Sequence, residues 1–147
     1  MTPSPPTVRL EFGSAFDMLD FVQVVSDYVG RLTGLDEDQL YEVSVAVRES
    51  VVNAIKHGNQ NDQSKRVVVE FTVEPRDYMA VRVEDQGDGF DPEDIPDPLA
   101  PENIMKGSGR GILFMRNYMD DVIMQRASEG GMEVRMVKKL KVVPTES

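Results

Sequence analysis

The sequence contains no cysteine and only one histidine, His57. Without cysteine the chain has no disulfide, no thiolate zinc site and no cysteine nucleophile, a composition typical of the reducing cytoplasm. A single histidine excludes a metal site built from several imidazoles. Residues 1–7 include three prolines and no basic or apolar run, so they predict neither a signal peptide nor a membrane span. We therefore expect a cytoplasmic protein.

Positive charge is also scarce. The 147 residues include 16 Lys plus Arg against 26 Asp plus Glu, a formal net charge of −10. A chain this acidic repels nucleic-acid phosphates, so we expect no direct nucleic-acid partner, and without a predicted membrane span we expect no membrane partner. Because 40% of the residues are apolar, the chain can build one core. We predict a single domain over residues 8–143 with short tails at 1–7 and 144–147.

Hydrophobic periodicity predicts the secondary structure. Apolar residues alternate with polar ones in five predicted strands, at 8–12, 67–73, 79–83, 122–126 and 132–137. Helical spacing predicts three helices, at 15–33, 36–58 and 112–119. In the first helix the apolar set expected to face the core includes Phe21, Tyr28 and Leu32. This order of elements predicts an α/β two-layer sandwich, in which a mixed, mostly antiparallel sheet carries helices on one face.

A long irregular segment separates the third strand from the third helix. Between Glu84 and Met105 there are eight acidic residues, four prolines and no Lys or Arg. Loops of this length inside a compact domain are uncommon and are often binding loops or lids. We therefore expect function to concentrate around this segment.

The second predicted helix carries the first candidate group. Glu49, Asn53, Lys56 and His57 share the side opposite its apolar stripe. A carboxylate can take a proton from a hydroxyl, and an amide oxygen one turn away can ligate Mg²⁺. The alternative is a solvated polar face, with His57 as a favourable charge at the end of the helix.

The second candidate group follows the third strand, in the run Asp85-Gln86-Gly87-Asp88-Gly89. A carboxylate at a strand end can accept a hydrogen bond from the exocyclic amine of a base, and Gly87 and Gly89 leave room for a flat ring. An ordinary acidic turn is the alternative.

The third candidate group is the run Gly107-Ser108-Gly109-Arg110-Gly111. It is expected to precede a helix, so its backbone N–H groups would form an anion-binding concavity, with Lys106 and Arg110 adding positive charge. The run is neither a Walker loop nor a dinucleotide-binding fingerprint. A flexible glycine-rich loop is the alternative.

Taken in order, these three motifs resemble the ATP-binding superfamily of gyrase, histidine kinases and mismatch-repair ATPases. Within it the chain is most similar to bacterial anti-sigma factor serine/threonine kinases, over about residues 12–139. The resemblance implies the Bergerat ATP-binding fold. It also implies an ATP-dependent serine/threonine protein kinase and anti-sigma regulatory factor that phosphorylates an anti-sigma factor antagonist in a partner-switching pathway, with ATP and Mg²⁺ as cofactors.

The resemblance also implies roles for single residues. Glu49 would be the general base for the substrate hydroxyl, Asn53 the ligand of Mg²⁺, and Asp85 the reader of adenine. Residues 90–106 would form a lid over ATP. The candidate cofactor-binding residues are Asn53, Lys56, His57, Asp85, Gly87, Gly89, Lys106, Gly107, Ser108, Gly109, Arg110 and Gly111.

Two positions depart from the family pattern. Met132 follows Gly131 where the family often has threonine, which alters the adenine contacts. Gly107 stands where some members have arginine, so either Lys106 or Arg110 would reach the γ-phosphate. The expected partners are the antagonist, a sigma factor and a second copy of the chain in a homodimer. The alternative functions are a nucleotide-dependent binding module with little kinase activity and a detached histidine-kinase catalytic domain.

Overall fold

The computed structural model describes residues 5–88 and 107–141, and side chains in the second range from residue 111 onward. The described chain forms three α-helices and five strands, with a single 3₁₀ turn at Phe16–Met18 and a π-helical turn at Ala54–Gly58. In chain order the elements are β1 (Thr7–Gly13), α1 (Leu19–Thr33), α2 (Glu37–Asn53), β2 (Arg66–Glu74), β3 (Tyr78–Glu84), α3 (Gly107–Tyr118), β4 (Asp121–Arg126) and β5 (Met132–Lys139).

The five strands form one sheet in the order β1-β2-β3-β5-β4. Every strand pair in the described ranges is antiparallel, and the α/β sandwich expected from the sequence is confirmed. The register aligns apolar side chains across the sheet, because Val69 pairs with Val83 and Val83 pairs with Val134. These side chains form the face on which the helices pack.

All three helices lie on this one face, and α2 is the central one because it contacts both α1 and α3. The core between the two layers contains large side chains with almost no exposed surface, among them Phe71, Ile55, Met79, Met115 and Met136. The opposite face of the sheet is polar. There Arg82 forms ion pairs with Glu70 and Glu84 on the same face.

Local signals explain the start of α2. Asp36 is its N-cap: Asp36 Oδ1 accepts from the backbone N–H of Gln39 at 2.8 Å, and Gln39 Oε1 accepts from the backbone N–H of Asp36 at 3.3 Å. This reciprocal capping box satisfies two backbone donors that a helix start leaves free. Just before it, Gly34 ends α1 with a φ of 102°, a conformation that glycine adopts without steric cost.

The sequence-based boundaries were wrong in two helices. The first helix begins at Leu19, and its exposed side carries Phe21, Tyr28 and Leu32, which are 50%, 64% and 52% exposed. These three side chains do not join the core, because α1 packs through the side that carries Val22 and Val29. The third helix begins at Gly107 and not at residue 112, so the glycine-rich run lies inside its first turns.

Several expectations fall outside the described residues. These are the lid at 90–106, Gly89, Lys106 and most of both predicted tails, and the domain limits at 8 and 143 remain a prediction. Among the helices that the structure describes, none is both long and apolar enough to cross a membrane.

Candidate functional site

The first motif lies where α2 widens into a π-helical turn. The backbone N–H of Asn59 donates to the carbonyl of Ala54 at 2.8 Å, five residues back, which is the hydrogen bond of a π-turn. Such turns are rare and occur frequently at functional sites. Glu49 and Asn53 are half-buried in the helix before the turn, whereas Lys56 and His57 are exposed within it.

Gly111 brings the third motif against the first. A Cβ atom placed on Gly111 would lie 2.9 Å from Asn53 Nδ2 and 3.1 Å from Glu49 Oε2, so a larger residue would displace both side chains. Gly111 stands near the N-terminal end of α3, where backbone N–H groups have no partner within the helix and carry partial positive charge. The structure therefore brings a carboxylate and an amide to a helix N-terminus suited to anions.

The second motif begins at Asp85, the residue directly after β3, which is only 6% exposed. Asp85 Oδ1 accepts from the backbone N–H groups of Gly87 at 3.0 Å and Met132 at 3.1 Å. Asp85 Oδ2 lies against Gly58, and no group in the described ranges donates a hydrogen bond to it. Burial raises the pKa of the Asp85 carboxyl above its usual value, although the two backbone donors act in the opposite direction.

Gly87 allows the loop after Asp85 to contact the end of the π-turn. A Cβ on Gly87 would overlap the carbonyl of Gly58, so only glycine permits this approach. The contact brings the second motif against the end of the first. Gly89, the other glycine predicted here, lies outside the described residues.

A cleft of about 510 Å³, its open mouth included, lies between α2, α3 and the sheet. Its polar side chains are Ser50, Asn53, His57 and Asp85. Its other walls are formed by Ala54, Gly58, Val83, Ile112, Met115, Met124, Met132 and Val134. Apolar walls with a few polar groups are the usual lining of a small-molecule site. This lining suits an apolar ring that carries polar groups on one edge.

Asn59 was not predicted to belong to the site. Its side chain is fully buried: Nδ2 donates to Ser14 Oγ at 2.9 Å and to the carbonyl of Arg66 at 3.0 Å, and Oδ1 accepts from the backbone N–H of Gln86 at 2.8 Å. Asn59 therefore joins the end of the π-turn to the loop that begins at Asp85. No local pattern could reveal this, because its partners are distant in sequence.

Residues 18–138 match the family model of the histidine kinase-like ATPase domain. The chain belongs to this family. The anti-sigma F factor of Bacillus subtilis is 34% identical over 139 residues, covering 90% of this chain and 92% of that protein. The anti-sigma F factor of Clostridium perfringens is 33% identical over 138 residues, covering 90% of this chain and 96% of that protein. The resemblance drawn from the three motifs is confirmed.

Solved structures share the fold of this histidine kinase-like ATPase domain. The RsbU and RsbW domains of Rv1364c from Mycobacterium tuberculosis superpose with a TM-score of 0.61 at 14% identity, covering 92% of this chain and 32% of that one. The mycobacterial sensor histidine kinase MprB gives a TM-score of 0.57 at 17% identity, covering 92% of this chain and 97% of that one. At these identities the likeness concerns architecture alone.

The histidine kinase-like domain offers few protein ligands to a metal ion. Within the described ranges, no cluster of three or more His, Asp or Glu side chains could hold one. Glu49 and Asn53 supply oxygen atoms beside the start of α3, and Mg²⁺ prefers such oxygen ligands together with water and phosphate. The residues present therefore fit a Mg²⁺ ion that takes its remaining ligands from a bound nucleotide and from water.

Proposed function

We propose that the chain is an ATP-dependent serine/threonine protein kinase and an anti-sigma regulator. One observation carries this proposal: Glu49 and Asn53 contact Gly111 near the N-terminal end of α3, beside a cleft lined by Asp85, whose Oδ2 atom accepts no hydrogen bond within the described ranges. In this proposal the cleft takes the base, the end of α3 takes the phosphates, and the Glu49 carboxylate serves the hydroxyl of the substrate.

The base of ATP occupies the cleft in this proposal. Asp85 Oδ2 accepts a hydrogen bond from the exocyclic amine of adenine, while Oδ1 stays bound to its two backbone donors. Apolar side chains such as Met115 and Val134 cover the faces of the ring. The membership of the chain in an ATPase domain family supports this assignment.

The phosphates extend from the cleft toward the first turn of α3, where free backbone N–H groups bind them. Asn53 holds Mg²⁺, which supplies charge neutralisation on the phosphate oxygens when it is bound. Glu49 orients the hydroxyl of the protein substrate and accepts its proton as the γ-phosphoryl group is transferred. Either Lys106 or Arg110 assists the γ-phosphate in this proposal, and the side chains of both lie outside the described residues.

The names of the similar proteins support the regulatory part of the proposal. Two relatives that match this chain over 90% of its length are anti-sigma F factors. We accordingly assign a cytoplasmic sigma factor as one partner and an anti-sigma factor antagonist as the phosphate acceptor, with the chain acting as a homodimer. No role for nucleic acid or membrane is included, in keeping with the net charge of −10.

The decisive experiment compares Glu49→Gln with the unchanged protein in single-turnover phosphate transfer to the antagonist. The amide preserves size but accepts no proton, so transfer falls roughly 10²- to 10⁴-fold. ATP affinity changes little, because the loss is felt in the transition state. Glu37→Gln at the exposed start of the same helix is the matched control.

An undiminished rate in Glu49→Gln would remove Glu49 as the base. ATP binding without any transfer by the unchanged protein would favour a nucleotide-dependent binding module, and absence of ATP binding in millimolar Mg²⁺ would overturn the whole proposal.

A further inference from the structure

The hydroxyl of Ser50 has no role in the function proposed so far. Ser50 lies on α2 directly after Glu49, is 2% exposed, and belongs to the lining of the cleft. Its Oγ atom is buried and has no hydrogen-bond partner within the part of the chain that the structure describes. A serine inside a helix can usually donate to the carbonyl four residues earlier, but this one does not. A buried hydroxyl without a partner is unfavourable, so its retention needs a reason.

The surroundings of Ser50 leave a ligand as the available partner. The strands contribute apolar side chains to this part of the cleft, among them Val83, Met124 and Val134. Asp85, which is 6% exposed, also lines this cleft, and its Oδ2 atom accepts no hydrogen bond within the described ranges. Two polar groups without partners thus line one apolar cleft, and a ligand with two complementary groups on one edge would satisfy both.

We infer that the Ser50 hydroxyl is the second hydrogen-bonding group that reads the base, beside Asp85. This inference rests on the proposed function, in which ATP occupies the cleft. An ionised carboxylate only accepts hydrogen bonds, whereas a hydroxyl can also donate one. The edge of adenine presents an amine donor next to the ring nitrogen N1, an acceptor. Asp85 accepts from the amine, and Ser50 donates to N1 directly or through one water molecule.

The pair also determines specificity. The same edge of guanine presents a carbonyl oxygen next to a protonated N1. The carbonyl oxygen of guanine would then face Asp85 Oδ2, and neither atom has a proton to share. The N1 proton of guanine would face the Ser50 hydroxyl, whose own proton would be left without an acceptor. A site whose buried polar groups are left unpaired rejects such a ligand strongly. Ser50 and Asp85 together therefore select adenine over guanine.

The test uses Ser50→Ala and a matched control, Ser26→Ala. Ser26 is 1% exposed on α1, and its Oγ is also buried without a partner among the described residues, but it does not line the cleft. Both substitutions remove an unsatisfied hydroxyl from a helix, so both variants should unfold at a temperature no lower than that of the unchanged protein. Calorimetric titration with Mg·ATP should show affinity reduced about three- to tenfold in Ser50→Ala and unchanged within twofold in Ser26→Ala.

A second titration uses 1-deaza-ATP, in which a carbon atom replaces N1. The unchanged protein should bind this analogue about three- to tenfold more weakly than ATP, whereas Ser50→Ala should bind the two ligands equally. A purely structural role for Ser50 predicts a lower unfolding temperature with unchanged affinity for ATP.

The outcomes separate the two proposals. If the unchanged protein binds no ATP, the proposed function fails and the role of Ser50 fails with it. If the unchanged protein and Ser50→Ala bind ATP equally well, only the assignment of Ser50 is overturned. The same holds if replacing ATP by 1-deaza-ATP weakens binding by the same factor in both proteins.

Discussion

Replacing Asn59 by alanine should destabilise the protein more than any conservative change at an exposed position. The substitution removes three hydrogen bonds, to Ser14, Arg66 and Gln86, from a side chain with no exposed surface. At about 1 kcal/mol net for each bond, the free energy of unfolding should fall by about 3 kcal/mol. For a domain of this size the midpoint of thermal unfolding then falls by about 6–12 °C.

Urea titration and scanning calorimetry of the same samples measure this loss. Asn117→Ala is the matched control, because Asn117 is exposed on α3, and it should change stability by less than about 0.5 kcal/mol. Asn59→Asp should be at least as harmful as Asn59→Ala, because it keeps the acceptor for Gln86 but brings an oxygen against the carbonyl of Arg66. A loss below about 1 kcal/mol in Asn59→Ala would refute the role of this side chain as the link between the π-turn and the Asp85 loop.

Substitutions at Asp85, Lys138 and Glu42 test the charged groups that folding buries in whole or in part. Because burial raises the pKa of Asp85, the folded protein binds its proton more readily than the unfolded chain, so this carboxyl lowers stability as the pH rises from 3.8 through its folded pKa. Asp85→Asn should therefore be at least as stable as the unchanged protein at pH 7, and this advantage should disappear below pH 3.8. Calorimetric titration should show at least tenfold weaker ATP binding, because roughly one hydrogen bond to a charged group is lost. A variant less stable than the unchanged protein at pH 7 would contradict this reasoning. Lys138 Nζ donates to Glu42 Oε2 at 2.6 Å and to the carbonyl of Tyr118. Lys138→Met should lower the free energy of unfolding in urea by about 2 kcal/mol. This value is below that of a fully buried ion pair because Glu42 is partly exposed. Adding Glu42→Gln should restore part of this loss, and no recovery would show that the ion pair is not its source.

The sheet and α2 were predictable because their signals are local. The strands that became β2 and β3 alternate apolar and polar residues on either side of a turn at Pro75, and this pattern survives in the burial of the folded chain. Asp36, the first residue of the predicted helix, belongs to a strongly capping residue type, and it caps α2 in the structure. The candidate residues Glu49, Asn53 and Asp85 could be named because their motifs follow one another in the order found in the ATP-binding superfamily that the sequence resembles.

Other features depend on contacts that no local pattern records. Helix propensity argues against a helix that begins at Gly107, yet α3 begins there, with Gly111 packed against α2. The π-turn at Ala54–Gly58 uses a hydrogen bond that spans five residues, and no residue pattern in α2 indicates this change. Phe21 has the correct spacing for the core, but the packing of α1 leaves it half exposed. In the sequence Ser50 is an ordinary polar residue of a helix, and only the structure shows that its buried hydroxyl has no hydrogen-bond partner within the described ranges.

The strand order β1-β2-β3-β5-β4 has a consequence for how fast the chain reaches its folded form. Only the β2–β3 and β4–β5 pairs join strands that are close in sequence, whereas β1 pairs with β2 across both N-terminal helices and β3 pairs with β5 across α3. Long-range pairing must close large loops before it yields contacts, so we expect folding on the order of milliseconds to seconds rather than microseconds. Val83 and Val134 pair across β3 and β5 and both line the cleft, so the cleft exists only once this long-range strand pairing has formed.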